Sequence, residues 1–271
     1  MRIYHPVRGV GGALRENSFA VIDDAGVSIG QGGLEYRVLK KMLPDRPLDI
    51  ELSMDAHPLA SDTLFGALSA RAECIKAEQG DLPARLYTRC EIGDTERREY
   101  FTRMGFDDYD GDELFVLDVP GDMKERRRNY SPVGTKGIDV DLRTRTRREE
   151  FLIGLKEFGY VEHANEWLEE RMKEPVFIAR AMYYGSDFVG QILVTGTQRE
   201  AVLEMICVEP KWRGRGVATA MIDEALAQLA SQHVPYIRAN AVRRNKSAMQ
   251  MFKRSGFRWV RTDCYLLGRD L

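Results

Sequence analysis

Five landmarks in the first half of the chain return in the second half at an almost constant distance. Pro58 and Pro210 are 152 residues apart, as are Pro83 and Pro235, while Phe101 and Phe252, Gly105 and Gly256, and Phe106 and Phe257 are each 151 apart. Taken singly these are common punctuation, since glycine ends helices by adopting the left-handed conformation. A shared offset instead predicts one folding unit present twice. The constraint is severe, because each half must then bury its own core with the same order of parts. The 271 residues, 44% of them hydrophobic, supply enough apolar material for two cores of middling size.

The order of parts does repeat. In the first half "NSFAVIDD", "GVSIGQGG" and "LDIELSM" alternate apolar with polar residues as half-buried strands do. A helix follows, with Leu64, Ala67, Leu68, Arg71, Cys74 and Ile75 at spacings of three and four. A strand "ARLYTR", a helix containing "REYFTRMGF" and a closing strand "ELFVLDV" come next. The second half runs through "AVLEMICV", a helix with apolar Val217, Met221, Ile222, Ala225, Leu226 and Leu229, then "PYIRANAV", a helix ending "MQMFKRSGF", and "CYLLG". It also holds two amphipathic helices the first half lacks, with Phe151, Leu152, Leu155 and Phe158 on one and Trp167, Leu168 and Met172 on the other. Between the halves, "PGDMKERRRNYSPVGTKG" has linker composition, and its "KERRR" reads as a solvated linker before a nucleic-acid patch. The predicted fold is α/β, with a mixed, mostly antiparallel twisted sheet flanked by helices in each of two tandem domains, residues 1–119 and 137–271, joined over 120–136.

A formal net charge of −2 argues against bulk attraction to nucleic acid or to an anionic membrane, so any anion site must be local. Cys74, Cys90, Cys207 and Cys264 are scattered without a C-x-x-C pair or clustered histidines, which implies neither a metal site nor a disulfide framework. The N-terminal "MRIYHPVRGVGG" lacks the basic-then-apolar pattern of a signal peptide, and no apolar run approaches membrane-spanning length. The expectation is a cytoplasmic protein without metal or membrane partner, a monomer or homodimer.

Such a local anion site is suggested where the second half reads "VEPKWRGRGVATAM". Arg213, Gly214, Arg215, Gly216, Val217 and Ala218 form Arg-x-x-Gly-x-Ala directly after a strand and at a helix start. The first helical amides have no intrahelical acceptor and carry partial positive charge. Glycines at 214 and 216 let a phosphate approach without a Cβ in the way, although a plain glycine turn has the same letters. The corresponding stretch of the first half, "HPLASDTLFGALSA", has Ser61 and Asp62 instead, which are predicted to cap and close that helix.

After the next strand, "NKSAMQMFKRSGF" places Asn245, Ala248, Phe252, Gly256 and Phe257 in order. The two motifs together resemble those of the GNAT superfamily of N-acetyltransferases, from about residue 137 to the end. The resemblance implies acetyl-coenzyme A as cosubstrate and a primary amine of a small molecule or peptide as acceptor. It implies that amides across Arg213 to Ala218 hold the pyrophosphate, and that the pantetheine arm runs beside Ile206, Cys207 and Val208. A backbone amide near Val208 would polarise the thioester carbonyl, with Asn245, Ala248 and Phe252 along the arm. Arg243, Arg244, Lys246 or Lys253 would meet the 3′-phosphate, or else form an ordinary charged helix face.

Glu204, a carboxylate in an otherwise apolar strand and on one strand face with Ile206 and Val208, is the candidate general base, or a salt-bridged edge residue. Asn240 on the partner strand is the candidate to orient a water or the acceptor. The tyrosine that the superfamily uses as general acid falls at 252, which is phenylalanine here. Tyr265 or Tyr184 then substitutes, or the thiolate leaves unaided, or the site binds coenzyme as a sensor without turnover. Cys207 is read as core filling before nucleophile. The first half, with no glycine loop and with Asp94 at the place of Asn245, is implied to be a degenerate copy.

Overall fold

The structure, a computed structural model, describes residues 1–121, 123, 134–156 and 164–271. The "KERRR" segment, Phe158 and the side chain of Leu155 lie outside the described residues. In chain order the elements are β1 (Arg2–Tyr4), β2 (Ser18–Ile22), β3 (Ser28–Val38), β4 (Leu48–Ala56), α1 (Pro58–Glu78), β5 (Ala84–Glu91), α2 (Thr95–Arg103) and β6 (Gly111–Asp118). They continue with β7 (Thr135–Asp139), α3 (Arg145–Lys156), α4 (Ala164–Arg171), β8 (Val176–Tyr184), β9 (Asp187–Gly196) and β10 (Ala201–Val208). The last are α5 (Val217–Ser231), β11 (Tyr236–Val242), α6 (Lys246–Arg254) and β12 (Arg258–Asp270). Among the described residues no helix is long and apolar enough to cross a membrane.

The chain forms two compact units, Met1–Gly111 together with Asp263–Leu271, and Asp112–Thr262. These differ from the segments expected from sequence by their closing strands. Residues 112–118 of β6 pair with β11 in the second unit, and residues 264–270 of β12 pair with β5 in the first. The physical reason is that each parallel strand pair leaves one antiparallel edge to fill. Both closing strands carry a similar apolar alternation, and alternation specifies a face, not a partner.

In the first unit the strand order is β1-β2-β3-β4-β5-β12, antiparallel throughout except for β4 with β5. That parallel pairing runs from Leu48↔Ala84 to Glu51↔Tyr87, and the strands then part. α1 covers one face, burying Ala60, Leu64, Phe65, Leu68, Ala72 and Ile75 against Leu34, Ile50, Leu52 and Leu86. Each large side chain so buried contributes on the order of 2 kcal/mol. α2 adds Phe101, whose ring packs at 6.1 Å from Phe65 and 5.2 Å from Phe106. On the opposite face the Tyr87 hydroxyl donates to Glu51 at 2.7 Å and Arg89 pairs with the same carboxylate at 2.9 Å. Burial, then the neighbouring Asp49 and Glu51 carboxylates, push the Tyr87 phenol well above its ordinary range.

In the second unit the order is β6-β11-β10-β9-β8-β7, again with one parallel pair, β10 with β11. Their pairing covers Ala201↔Ile237 to Leu203↔Ala239 before the strands part. α5 packs on one face through Val217, Met221, Ile222, Ala225, Leu226 and Leu229, as its spacing predicts, against Leu203, Ile237 and Ala239. α3 and α4 cover the other face, with Phe151, Leu152 and Leu168 against Ala179, Leu193 and Met205. The β9–β10 register slips between Leu203 and Met205, which leaves Glu204 as a bulge. The β3–β4 pairing of the first unit runs from Gly30↔Ala56 to Val38↔Leu48 without a slip.

Candidate functional site

The stretch after β10 does not enter its helix directly. Pro210–Trp212 make a single 3-10 turn, Gly214 and Gly216 follow at φ of 73° and 82°, and α5 starts only at Val217. Both glycines sit in the left-handed region that side chains disfavour, and a Cβ added at Gly214 would meet nothing within 4 Å. Gly216 caps the helix without any side-chain hydrogen bond, and Ala220 is the first amide bonded back, to the Gly216 carbonyl at 2.9 Å. Among the described residues the amides of Gly214 through Thr219 thus have no protein acceptor. They cluster at the positive end of a helix dipole, the arrangement that favours a phosphate.

The side chains of the loop hold it in place. Arg213 Nε donates to the Val208 carbonyl at 3.1 Å, tying the loop back to the end of β10. The Arg215 guanidinium lies 5.1 Å from the Trp212 ring centroid, and the Tyr184 ring packs on the same indole at 5.1 Å. Tyr184, half-exposed, therefore props the loop from the end of β8.

The first unit turns the same corner differently. Ser61 and Asp62 do not cap α1, which starts at Pro58 with His57 as its cap. Pro58 has no amide to satisfy, His57 Nδ1 accepts from the Leu59 amide at 3.3 Å, and the His57 carbonyl takes the amides of Ala60 and Ser61 at 2.8 and 3.2 Å. Asp62 accepts instead from the Tyr100 hydroxyl at 3.2 Å. Burial, followed by that carboxylate, pushes the Tyr100 phenol up to about 12.

Glu204 and Asn240 lie one position beyond the last parallel pair, Leu203 and Ala239, on the sheet face opposite α5. The bulge corrects the expected face: Ile206 and Val208 pack toward the α5 core, whereas Glu204 points toward α4. There Thr195 donates its hydroxyl to Glu204 Oε1 at 2.6 Å, and Arg171 Nε, at the end of α4, stands 3.6 Å from the same oxygen. Among the described residues Oε2 of Glu204 has no partner. Neither Thr195 nor Arg171 is marked by a local motif, so only the fold reveals them. Glu200, just before the strand, is used differently: Arg238 and Tyr236 hold its two oxygens. Burial raises its carboxyl, but those two hydrogen bonds outweigh it and keep the group below the usual range.

Several expected residues have structural duties. Asn245 caps α6, its Oδ1 accepting from the Ala248 amide at 3.1 Å. Asp94 caps α2 in the same way, accepting from the Arg97 amide at 3.1 Å, so this replacement leaves the capping geometry unchanged. Phe252 is 3% exposed, packed between Phe115 and Phe257 at 5.1 and 5.0 Å, where it offers neither a hydroxyl nor an exposed ring. Cys207 is buried. Arg243 is committed to buried Glu113 at 2.5 Å, a carboxylate that also accepts from Trp259 at 2.6 Å and Thr262 at 3.0 Å. Lys246 and Lys253 are exposed on α6 and Arg244 is half-buried at its entry. Tyr265 pairs opposite Cys90 on β5, in the first unit, beneath the Arg98 guanidinium.

Residues 140–268 match the family model described as an acetyltransferase (GNAT) domain. No curated protein matches the sequence. Among solved structures, a GCN5-related N-acetyltransferase from Sphaerobacter thermophilus aligns at 14% identity and a TM-score of 0.51 over 96% of this chain and 82% of that one. A conserved protein from Enterococcus faecalis V583, described as a probable N-acyltransferase, aligns at 10% identity and 0.56 over 93% of this chain and 61% of that one. The GCN5-related glucosamine N-acetyltransferase region of a fungal multi-domain GH3 β-N-acetylglucosaminidase aligns at 12% and 0.52 over 94% of this chain and 33% of that one. At such identities the likeness is one of fold, and the protein has the α/β mixed-sheet fold of the GNAT acetyltransferases.

Proposed function

We propose that the protein is an acetyl-coenzyme A-dependent N-acetyltransferase, built as two tandem copies of the fold, with its chemistry in the second unit. One observation carries the reading: the consecutive amides from Gly214 to Thr219, at the start of α5, that no group among the described residues accepts. They would bind the diphosphate of the coenzyme. Bound there, acetyl-coenzyme A supplies an activated acyl thioester. A backbone amide near Val208 donates to the thioester carbonyl oxygen, an effect of about 3 kcal/mol for one well-placed donor. Glu204 Oε2 takes a proton from the acceptor ammonium, while Thr195 and Arg171 fix the carboxylate through Oε1. Asn240, at the adjacent register position, orients the amine. Phe252 brings no proton, so the departing sulfur takes up the second proton lost by the amine.

The acceptor is a primary amine of a small molecule or peptide that attacks directly in a ternary complex. Calorimetric titration with acetyl-coenzyme A, followed by free-thiol release with polyamines, aminoglycosides, amino acids and peptide N-termini, tests this. Stoichiometric binding and turnover with at least one amine are expected; absence of binding overturns it. A second reading, a coenzyme-sensing module, is favoured by the buried phenylalanine at 252. Binding without turnover for every amine would select it.

A further inference from the structure

The first unit also parts its parallel strands, but a side chain lies between them. Arg97 of α2 reaches across the gap: Nη1 donates to the Met54 carbonyl of β4 at 3.2 Å, and Nε donates to the Arg89 carbonyl of β5 at 2.9 Å. Nη2 donates to Thr88 Oγ1 at 2.7 Å, and the guanidinium sits 5.1 Å from the Phe101 ring centroid. A planar fork with several fixed donors suits two carbonyls and a hydroxyl on different strands, which a lysine could not engage together.

The counterpart in the second unit is Ala248. The caps that precede the two residues have matching dihedrals, φ −76° and ψ 77° at Asp94 and φ −77° and ψ 76° at Asn245. Both residues donate their amide to the cap oxygen at 3.1 Å. The same place on the same kind of helix thus holds a long donor-rich side chain in one unit and a half-buried methyl group in the other.

We propose that the Arg97 guanidinium is the built-in occupant of the cleft between β4 and β5. By the same argument, alanine at 248 leaves the matching cleft between β10 and β11 to an external ligand whose extended arm carries amide groups. This second clause rests on the acetyl-coenzyme A reading given above; the first does not. The position that separates a closed unit from a ligand-taking one is therefore the third residue past the cap of α2 or α6.

Two variants of the full chain test the proposal. In Arg97→Ala, amides of residues 52–56 and 88–91 should exchange with deuterium at least about tenfold faster, while those of 201–208 and 236–242 keep their rates. Acetyl-coenzyme A affinity should not change. Arg97→Lys, which keeps charge and bulk, should fall between the two and serves if the alanine variant does not fold. In Ala248→Arg, affinity for acetyl-coenzyme A should fall by about a hundredfold with the melting temperature held, because the slot is filled from within. Ala248→Met fills the same space if the arginine is not tolerated. Unchanged exchange in both Arg97 variants would overturn the occupant role, and wild-type affinity in the Ala248 variants would overturn the assignment of 248. If the wild-type protein binds no acetyl-coenzyme A, the functional reading fails, and the Arg97 exchange rates still decide the first clause.

Discussion

α1 and α5 leave their strands through matching prolines, Pro58 and Pro210, and then diverge. α1 is helical from the proline onward and spans 21 residues, whereas α5 spans 15 because two left-handed glycines postpone it. In α1 the early amides are spent on the His57 side chain and carbonyl; at the entry to α5 those of Gly214 to Thr219 find no acceptor among the described residues. The helix dipole is common to both. On the reading proposed above, what would make one start receptive to an anion is the backbone that precedes it: a cap that satisfies the donors closes the start, and a glycine loop that withholds acceptors leaves it open.

The strongest way to break this comparison is to close the open start. Gly216→Glu forces a side chain to φ of 82° and sets a carboxylate at the bare amides, a backbone cost of about 1 kcal/mol with charge repulsion added. Acetyl-coenzyme A affinity should weaken by at least about a hundredfold in calorimetry with the circular dichroism spectrum retained. Retained affinity would locate the diphosphate elsewhere.

Next in size is the bulge at Glu204, which the β3–β4 pairing of the first unit lacks. Glu204→Gln keeps the Thr195 hydrogen bond and removes the base, so kcat should drop by about 10² to 10³ while the dissociation constant of acetyl-coenzyme A stays level. A Thr195→Val variant should share part of the kcat loss, since it frees the carboxylate to turn. Normal turnover in Glu204→Gln would make the Arg171 pair a purely structural one.

How much of this could be read in the residues depends on the range of the interaction. The glycine loop and the apolar stripe of α5 are local, and the letters Arg213 to Ala218 and Val217 to Leu229 specify them. The cap of α1 is local too, yet Ser61 and Asp62, both good capping types, yield to His57 because proline at the first helical position starts the helix earlier. Strand alternation put Glu204 with Ile206 and Val208, and a one-residue slip against β9 undid it. Which closing strand fills which edge is a long-range choice that periodicity does not encode. For the same reason Tyr265 turns up beneath Arg98 in the first unit, away from its expected sequence neighbours.

A smaller effect probes the closed start. His57→Ala deletes the side-chain acceptor of the Leu59 amide, and its 3.3 Å distance places it at the weaker end of capping bonds. A loss of about 0.5–1 kcal/mol is expected in urea denaturation, with faster amide exchange confined to the first turn of α1. Acetyl-coenzyme A binding should not respond. If it did, the independence of the two helix starts would be lost.

The finest test concerns Asn245, where the units differ by a single atom type at one capped position. Asp94 shows that a carboxylate serves this cap with the same dihedrals and the same 3.1 Å bond, so Asn245→Asp should leave stability within about 0.5 kcal/mol. Oδ1 is already committed to the Ala248 amide, and only Nδ2 remains to reach a ligand. If capping is the main duty, the affinity for acetyl-coenzyme A falls by no more than about threefold, a change below 1 kcal/mol that one added negative charge near a polyanion accounts for. A loss of tenfold or more at unchanged stability would instead mean that the amide nitrogen holds the coenzyme, and that the asparagine–aspartate difference separates the two units as sharply as the glycine loop does.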